Sequence, residues 1–237
     1  MKAKILSQKK ERDRIVWRSH EPGRLETFSD AVFAFALTLI VVSVEVPKSF
    51  NELSVLLKDT ISFALCFIIL FSIWYNQNLF FRRYGLNDGY TICLNGILLF
   101  VSLIYVYPLK FLTSLINNDT YLENGKVLQR LTQAQGPLLM IIYGIGFVVI
   151  YLLFFLMYRT AIKRADELDL TERELFETKT ATYINLLVAI IGMISILSAI
   201  ILPVSVSGIS GFVYFLMGPV YSVWYAYRGK RSRLLFG

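Results

Sequence analysis

The sequence is poor in the residues that build catalytic and redox centres. It has one histidine and two cysteines among 237 residues. His20 stands outside any apolar run, just before Pro22-Gly23. It reads either as an inert solvent histidine or as a group titrating near neutrality. One histidine cannot build a metal site. Cys66 and Cys93 each lie inside an apolar run, and no Cys-x-x-Cys occurs. Disulfide and zinc chemistry are unsupported, and both thiols read as lipid- or core-facing. A membrane-embedded enzyme needs a nucleophile with a base, or a metal cluster. Neither pattern is present, so the reading is not an enzyme, with no metal and no cofactor.

Charge is also scarce. Only 17% of residues are charged, where a soluble domain carries about a quarter. Hydrophobic residues make up 56%, and the mean hydropathy is +0.57. That apolar excess is too large for one globular core and calls for a bilayer. The first twenty residues are polar and basic, which reads as no cleavable signal peptide. A net charge of +7 raises the question of nucleic acid. The basic residues flank apolar runs and line no soluble face, so nucleic acid is not an expected partner. They read as topology signals and as contacts to anionic lipid.

What is present is a series of long apolar runs. A spanning helix needs about 20 mostly apolar residues. Six stretches qualify: about 28–46, 55–81, 90–112, 137–158, 180–202 and 209–227. Pro47 ends the first, Arg82-Arg83 the second and Pro203 the fifth; Pro108 lies near the end of the third. Pro137 opens the fourth, a position that suits proline. Barrel strands would be shorter and alternate in polarity. The expected fold is an all-α membrane protein with six transmembrane helices.

The charges orient it. With a cytoplasmic N-terminus, six spans put both termini inside. The inside segments then hold 19 of the 24 Lys and Arg. The outside loops keep only Lys48, Lys58, Lys110, Lys126 and Arg130. That bias supports the topology. Residues 1–27 read as a basic cytoplasmic segment, 28–227 as the membrane domain and 228–237 as a basic cytoplasmic tail.

The connections carry weaker signals. Thr171 and Glu174 make a capping box, the start of a helix that runs into the fifth span. The charges of the loop from Ala165 to Lys179 read as a solvated face rather than a site. The polar outer loop from Asn117 to Gln135 has room for a short helix. Ala189, Gly192, Ser195 and Ala199 give the fifth span a small-residue edge for close helix packing. Gly211 and Gly218-Pro219 mark a bend or close contact in the sixth.

Polar chemistry inside the membrane concentrates in the first span. Asp30 sits near the cytoplasmic end of an otherwise apolar helix. An ionisable group there costs roughly 2.5–3.5 kcal/mol even by the gentlest scale, so it normally finds partners. Trp74, Asn76, Gln77 and Asn78 in the second span and Asn95 in the third lie at similar depth. Asp30 is read first as a member of a buried network that fixes helices, and second as a group in contact with ions. On the same helix Phe35, Thr38 with Leu39, and Val42 recur at helical spacing. Such a stripe is ordinary packing unless something places this helix on a symmetry axis.

A resemblance supplies that placement. Arg24-x-x-x-Phe28-Ser29-Asp30, followed by Ala-Val-Phe-Ala and then Thr38-Leu39, resembles the signature of the transmembrane protein 175 family of potassium channels. The resemblance implies a short prokaryotic channel in which single six-span chains form a homotetramer and the first helix lines the pore. It implies a constriction at Phe35, Thr38, Leu39 and Val42. Arg24, Phe28, Ser29 and Asp30 would hold the pore helix to the next two, with Trp74, Asn78 and Asn95. It implies monovalent cations as permeants, potassium among them, and a multi-pass location in a bacterial inner membrane. Many relatives carry an aliphatic residue where Phe35 stands; a ring of phenyl groups would close a pore more tightly. Glu45, near the outer end, is an interfacial carboxylate or an acidic ring at the pore mouth.

Two familiar devices are missing. No Thr-Val-Gly-Tyr-Gly run occurs, which excludes a carbonyl filter of the usual kind. No helix carries arginines at every third position, so there is no voltage sensor of that design. Selectivity is left to pore diameter, dewetting and hydroxyls, Thr38 above all. A secondary transporter, a proton-permeable channel and a non-conducting scaffold remain as alternatives. The transporter lacks a midplane acid or base in spans four to six and an internal repeat.

Overall fold

The structure is a computed structural model. It describes residues 15–19, 21–42, 48–50, 53–54, 57, 60–115, 120–123, 126–204 and 208–236. In chain order, α1 is Arg24–Val42, α2 Thr60–Tyr84 and α3 Gly89–Ser114. A hairpin of β1 (Thr120–Glu123) and β2 (Lys126–Gln129) follows. A 3-10 turn at Gln133–Gln135 then leads into α4, Gly136–Lys163. The remaining helices are α5 (Glu172–Ile201), α6 (Ile209–Phe212) and α7 (Met217–Phe236).

The structure is all-helical apart from that hairpin, among the described residues. α2, α3, α4 with its preceding turn, and α5 are long and apolar enough to cross a membrane. The first and sixth expected spans fall on α1 and on α6–α7. The loop expected to hold a short helix holds the antiparallel hairpin, with Thr120 opposite Gln129, and then the short 3-10 helix at Gln133–Gln135. Its β1 segment, Thr-Tyr-Leu-Glu, is rich in residues that favour an extended backbone.

Local chemistry explains the helix ends. Asp88 caps α3, accepting from the Tyr90 and Thr91 amides at 3.1 and 3.3 Å. Gly85 ends α2 at φ +59°, where only glycine turns without strain. The Thr171–Glu174 capping box forms at the start of α5. That helix then runs unbroken through the stretch read as the fifth span. Between α6 and α7 the chain tightens into a 3-10 turn, Val213–Leu216, just before Gly218-Pro219. Pro219 donates no amide to the preceding turn, so the α pattern is interrupted there.

The core is built on α4 and α5, the most extensively packed pair. A Cβ at Gly192 would lie 2.7 Å from Val148 Cγ2, and one at Gly144 2.5 Å from Ile196 Cγ1. Side chains of the facing helix fill the space beside each glycine, the close packing that the small-residue edge of α5 suggested. α3 packs on α4, α1 packs on α2 and α3, and α7 packs on α5. An aromatic knot of Phe80, Tyr84 and Tyr158 ties α2 to α4, with Tyr158 edge-on to both rings. Large apolar side chains such as Phe100, Tyr107 and Ile201 remain exposed on the outside.

Candidate functional site

α1 has two unlike faces. Glu26, Ser29, Phe33 and Ala36 are buried against the rest of the subunit. Arg24, Thr27, Phe28, Ala31, Ala34, Phe35 and Thr38 are exposed. These seven positions follow the helical repeat and make one continuous stripe. Phe28 is 62% exposed and Phe35 59%. So the subunit leaves two phenyl rings, one above the other, without cover. The Thr38 hydroxyl donates to the Ala34 carbonyl at 2.8 Å, and Leu39 is half-buried. The Val42 side chain lies outside the described residues, as do Glu45 and His20.

The buried face is fixed by polar side chains from three helices. Trp74 Nε1 donates to Asp30 Oδ1 at 2.7 Å. Asn95 Nδ2 donates to Ser29 Oγ at 2.9 Å, and Gln77 Nε2 donates to Asn95 Oδ1 at 3.1 Å. The Ser29 hydroxyl in turn donates to the Leu25 carbonyl at 2.8 Å. Gln77, Asn95 and Ser29 thus form one relay from α2 through α3 to α1. All three are essentially inaccessible, at 1%, 0% and 0%. Buried polar groups left unpaired are costly, so a satisfied relay specifies one rotation of α1.

The structure brings together Ser29, Asp30, Trp74, Gln77 and Asn95 of the expected partners. Arg24 and Phe28 are not part of it; they lie on the exposed stripe. Asn78 is half-buried on α2 and joins none of these bonds, while Asn76 donates to its own helix at Ser72 O. Cys66 is buried against the Thr113 hydroxyl at 3.1 Å, and Cys93 is exposed. Among the described residues no group of three or more potential metal ligands occurs.

The family model of the endosomal/lysosomal potassium channel TMEM175 matches residues 24–108, which span α1, α2 and most of α3. A protein of Marivirga tractuosa named as a potassium channel is 40% identical over 229 residues, covering 92% of each chain. The chain belongs to the TMEM175 family. Its fold resembles that of a variant of the potassium channel MtTMEM175 crystallised with a Nanobody-MBP fusion protein. That match has a TM-score of 0.80 at 38% identity, over 92% of this chain and 97% of the other. The fold also matches a potassium-selective TMEM175 homolog from Chamaesiphon minutus, with a TM-score of 0.59 at 21% identity. There the overlap is 86% of this chain and 98% of the other. TMEM175 relatives are channels, and the chain is an integral membrane protein and not an enzyme.

One feature of this TMEM175 chain was hidden in its sequence. The segment just before α1 is clamped to the bundle. Arg18 grips Glu174 with both terminal nitrogens, at 3.1 and 3.0 Å, and its Nε donates to the Leu168 carbonyl at 2.8 Å. The Val16 amide donates to Glu174 Oε1 at 2.8 Å. The amides of Arg18 and Ser19 both donate to Arg82 O at the end of α2, and the Arg82 guanidinium lies 5.0 Å from the Trp17 ring centre. Glu174 is 1% exposed, so the loop read as a solvated face contains a buried acid. The capping box made Glu174 visible, but nothing in the sequence pairs it with one of the eight Lys and Arg that precede the first span.

Proposed function

We propose that this TMEM175 chain is a potassium-preferring cation channel in which four copies of α1 surround a conducting axis. The observation that carries the reading is the uncovered stripe from Phe28 to Thr38 on a helix whose other face is locked. Asp30 and Phe35 stand five residues apart, roughly 140° around a helix of 3.6 residues per turn. Bonds from Trp74 to Asp30 and from Asn95 to Ser29 therefore hold the phenyl rings away from their own subunit. A helix face that its own subunit leaves bare can line a pore once copies assemble around it. The potassium channels named among the relatives support conduction, and potassium as the permeant.

In this reading six spans cross a bacterial inner membrane, with both termini cytoplasmic. Residues 28–227 make the channel body. Residues 1–27 and 228–237 are its basic cytoplasmic ends, in contact with anionic lipid. α7 continues as helix through Phe236. Phe35 makes the hydrophobic constriction, with Thr38, Leu39 and Val42 beyond it. Glu45 stands near the mouth, where an acidic ring concentrates cations. Ions must shed water to pass apolar rings, which favours the more cheaply dehydrated potassium over sodium. The Thr38 hydroxyls soften that step. Arg24 and Phe28 belong to the contact between subunits or to the cytoplasmic entrance. No cofactor enters the mechanism.

Flux from liposomes containing the purified chain tests this. Passive potassium flux exceeding sodium flux, with unitary currents in a planar bilayer, is the expected result. Equal flux of the two ions overturns the selectivity. Saturable flux coupled to a proton gradient makes the protein a transporter. No flux at all makes it a scaffold.

A further inference from the structure

A cavity lies away from α1, at the basic end of the bundle. It has a volume of about 300 Å³ between α2, α4, α5 and α7. That is the small end of the range for ligand sites, about 300–1,000 Å³. Two arginines reach it from different helices, Arg83 from α2 and Arg228 from α7. Tyr158, Tyr221 and Tyr225 line the same space, and so does one acid, Glu177. These are the charged and titratable groups that face it among the described residues.

The charges do not cancel. Glu177 is ion-paired with Arg83, and its other oxygen lies 3.6 Å from Arg173 Nε. Its single negative charge is shared between two arginines. Arg228 has no carboxylate within 4.0 Å among the described residues. It is nevertheless half-buried and held in place. Nε donates to Thr180 Oγ1 at 2.8 Å and Nη2 to the Phe176 carbonyl at 2.9 Å. Its guanidinium carbon lies 3.7 Å from the Phe176 ring centre and 5.8 Å from that of Trp224. Arg83 Nε is buried and donates to nothing in the protein. A half-buried cation without a counter-charge is costly unless an anion completes it.

We infer that this cavity binds a phosphate group, carried by an anionic phospholipid or by a soluble phosphate compound. Guanidinium forks match phosphate oxygens in pairs, and fixed forks lose little entropy on binding. The tyrosine hydroxyls add donors around them. The apolar wall of Leu79 and Ile184 suits the upper part of a lipid chain as well as it excludes water. The site is separate from α1, and its test reads binding and not flux, so it stands or falls independently of conduction.

The test uses the full chain in neutral detergent and follows its melting temperature. Dihexanoyl phosphatidylglycerol, potassium phosphate and phosphate-free dihexanoylglycerol are titrated at matched ionic strength. A saturable rise with phosphatidylglycerol is expected, at least tenfold weaker in midpoint for Arg228→Gln and unchanged for Arg231→Gln at an exposed position. Arg228→Lys keeps the charge and stem but loses the fork, and is expected to weaken the midpoint severalfold. It carries the comparison if Arg228→Gln does not fold. A rise with phosphatidylglycerol alone assigns a lipid; a rise with potassium phosphate as well assigns the soluble source. No saturable rise with either probe overturns the site. So does a rise matched by dihexanoylglycerol, or wild-type midpoints in the folded Arg228 variants.

Discussion

Arg18 and Glu174 are joined by two parallel N–H···O bonds across 156 residues of sequence. The acid is 1% exposed and the arginine 17%. The pair holds the segment preceding α1 against the start of α5, and so sets where the candidate pore helix begins. Removing one partner leaves the other charge stranded. Glu174→Ala is expected to cost about 3 kcal/mol or more of stability. Arg18→Met combined with Glu174→Gln is expected to cost less than the two single changes together. Melting curves of the four proteins in one detergent give the coupling directly.

Asn95 stands at the centre of the relay. Asn95→Ala leaves Ser29 without a donor and Gln77 without its acceptor, both fully buried. A loss of about 2 kcal/mol is expected from these orphaned groups. Since the relay sets the rotation of α1, ion flux is expected to change in the same variant. Asn78→Ala, which touches none of these bonds, is expected to leave both close to wild type.

Gly192 marks a close approach of α4 and α5. Gly192→Ala places a methyl group against Val148 and Phe147, at 2.7 and 2.9 Å from their side chains. The destabilisation is expected at about 1–3 kcal/mol, in spite of the better helix propensity of alanine. Thermal unfolding in detergent measures it.

Asp88 makes the fold sensitive to acid. Burial pushes its carboxyl up, but hydrogen bonds from Thr91, with the Arg164 guanidinium 3.0 Å away, outweigh that and hold it below the usual carboxylate range. A folded-state pKa below the unfolded value, about 3.9, gives stability that is fully present above that value. It is lost as pH falls through the folded pKa. Asp88→Asn is therefore expected to lower the melting temperature at pH 7 and to flatten its decline below about pH 4.

Much of this was legible in the sequence, for identifiable reasons. Hydropathy needs only composition along the chain, and four of the stretches it marked fall on helices long and apolar enough to cross a membrane. The Asp30–Trp74 and Ser29–Asn95 bonds could be anticipated because polar side chains in apolar spans must find one another. Gln77 was visible on the same ground, one helical turn from Trp74. The Arg18–Glu174 clamp was not, because a charge in a basic, polar segment carries no mark of its partner. The hairpin at Thr120–Gln129 was missed because a short polar loop has no periodicity to read. The cavity around Arg228 depends on three-dimensional packing of four helices, which no local pattern encodes.

Passage of ions past the Phe35 ring can be measured in one comparison. Wild type and Phe35→Ala are reconstituted at equal density in liposomes, and potassium efflux is followed under an imposed gradient. The side chain is exposed in the single subunit, so the substitution is expected to leave the fold intact. If four α1 helices meet with Phe35 at the narrow point, the variant leaks severalfold faster and discriminates less against sodium. Identical potassium and sodium rates in the two proteins would mean that another part of the chain forms the conducting path.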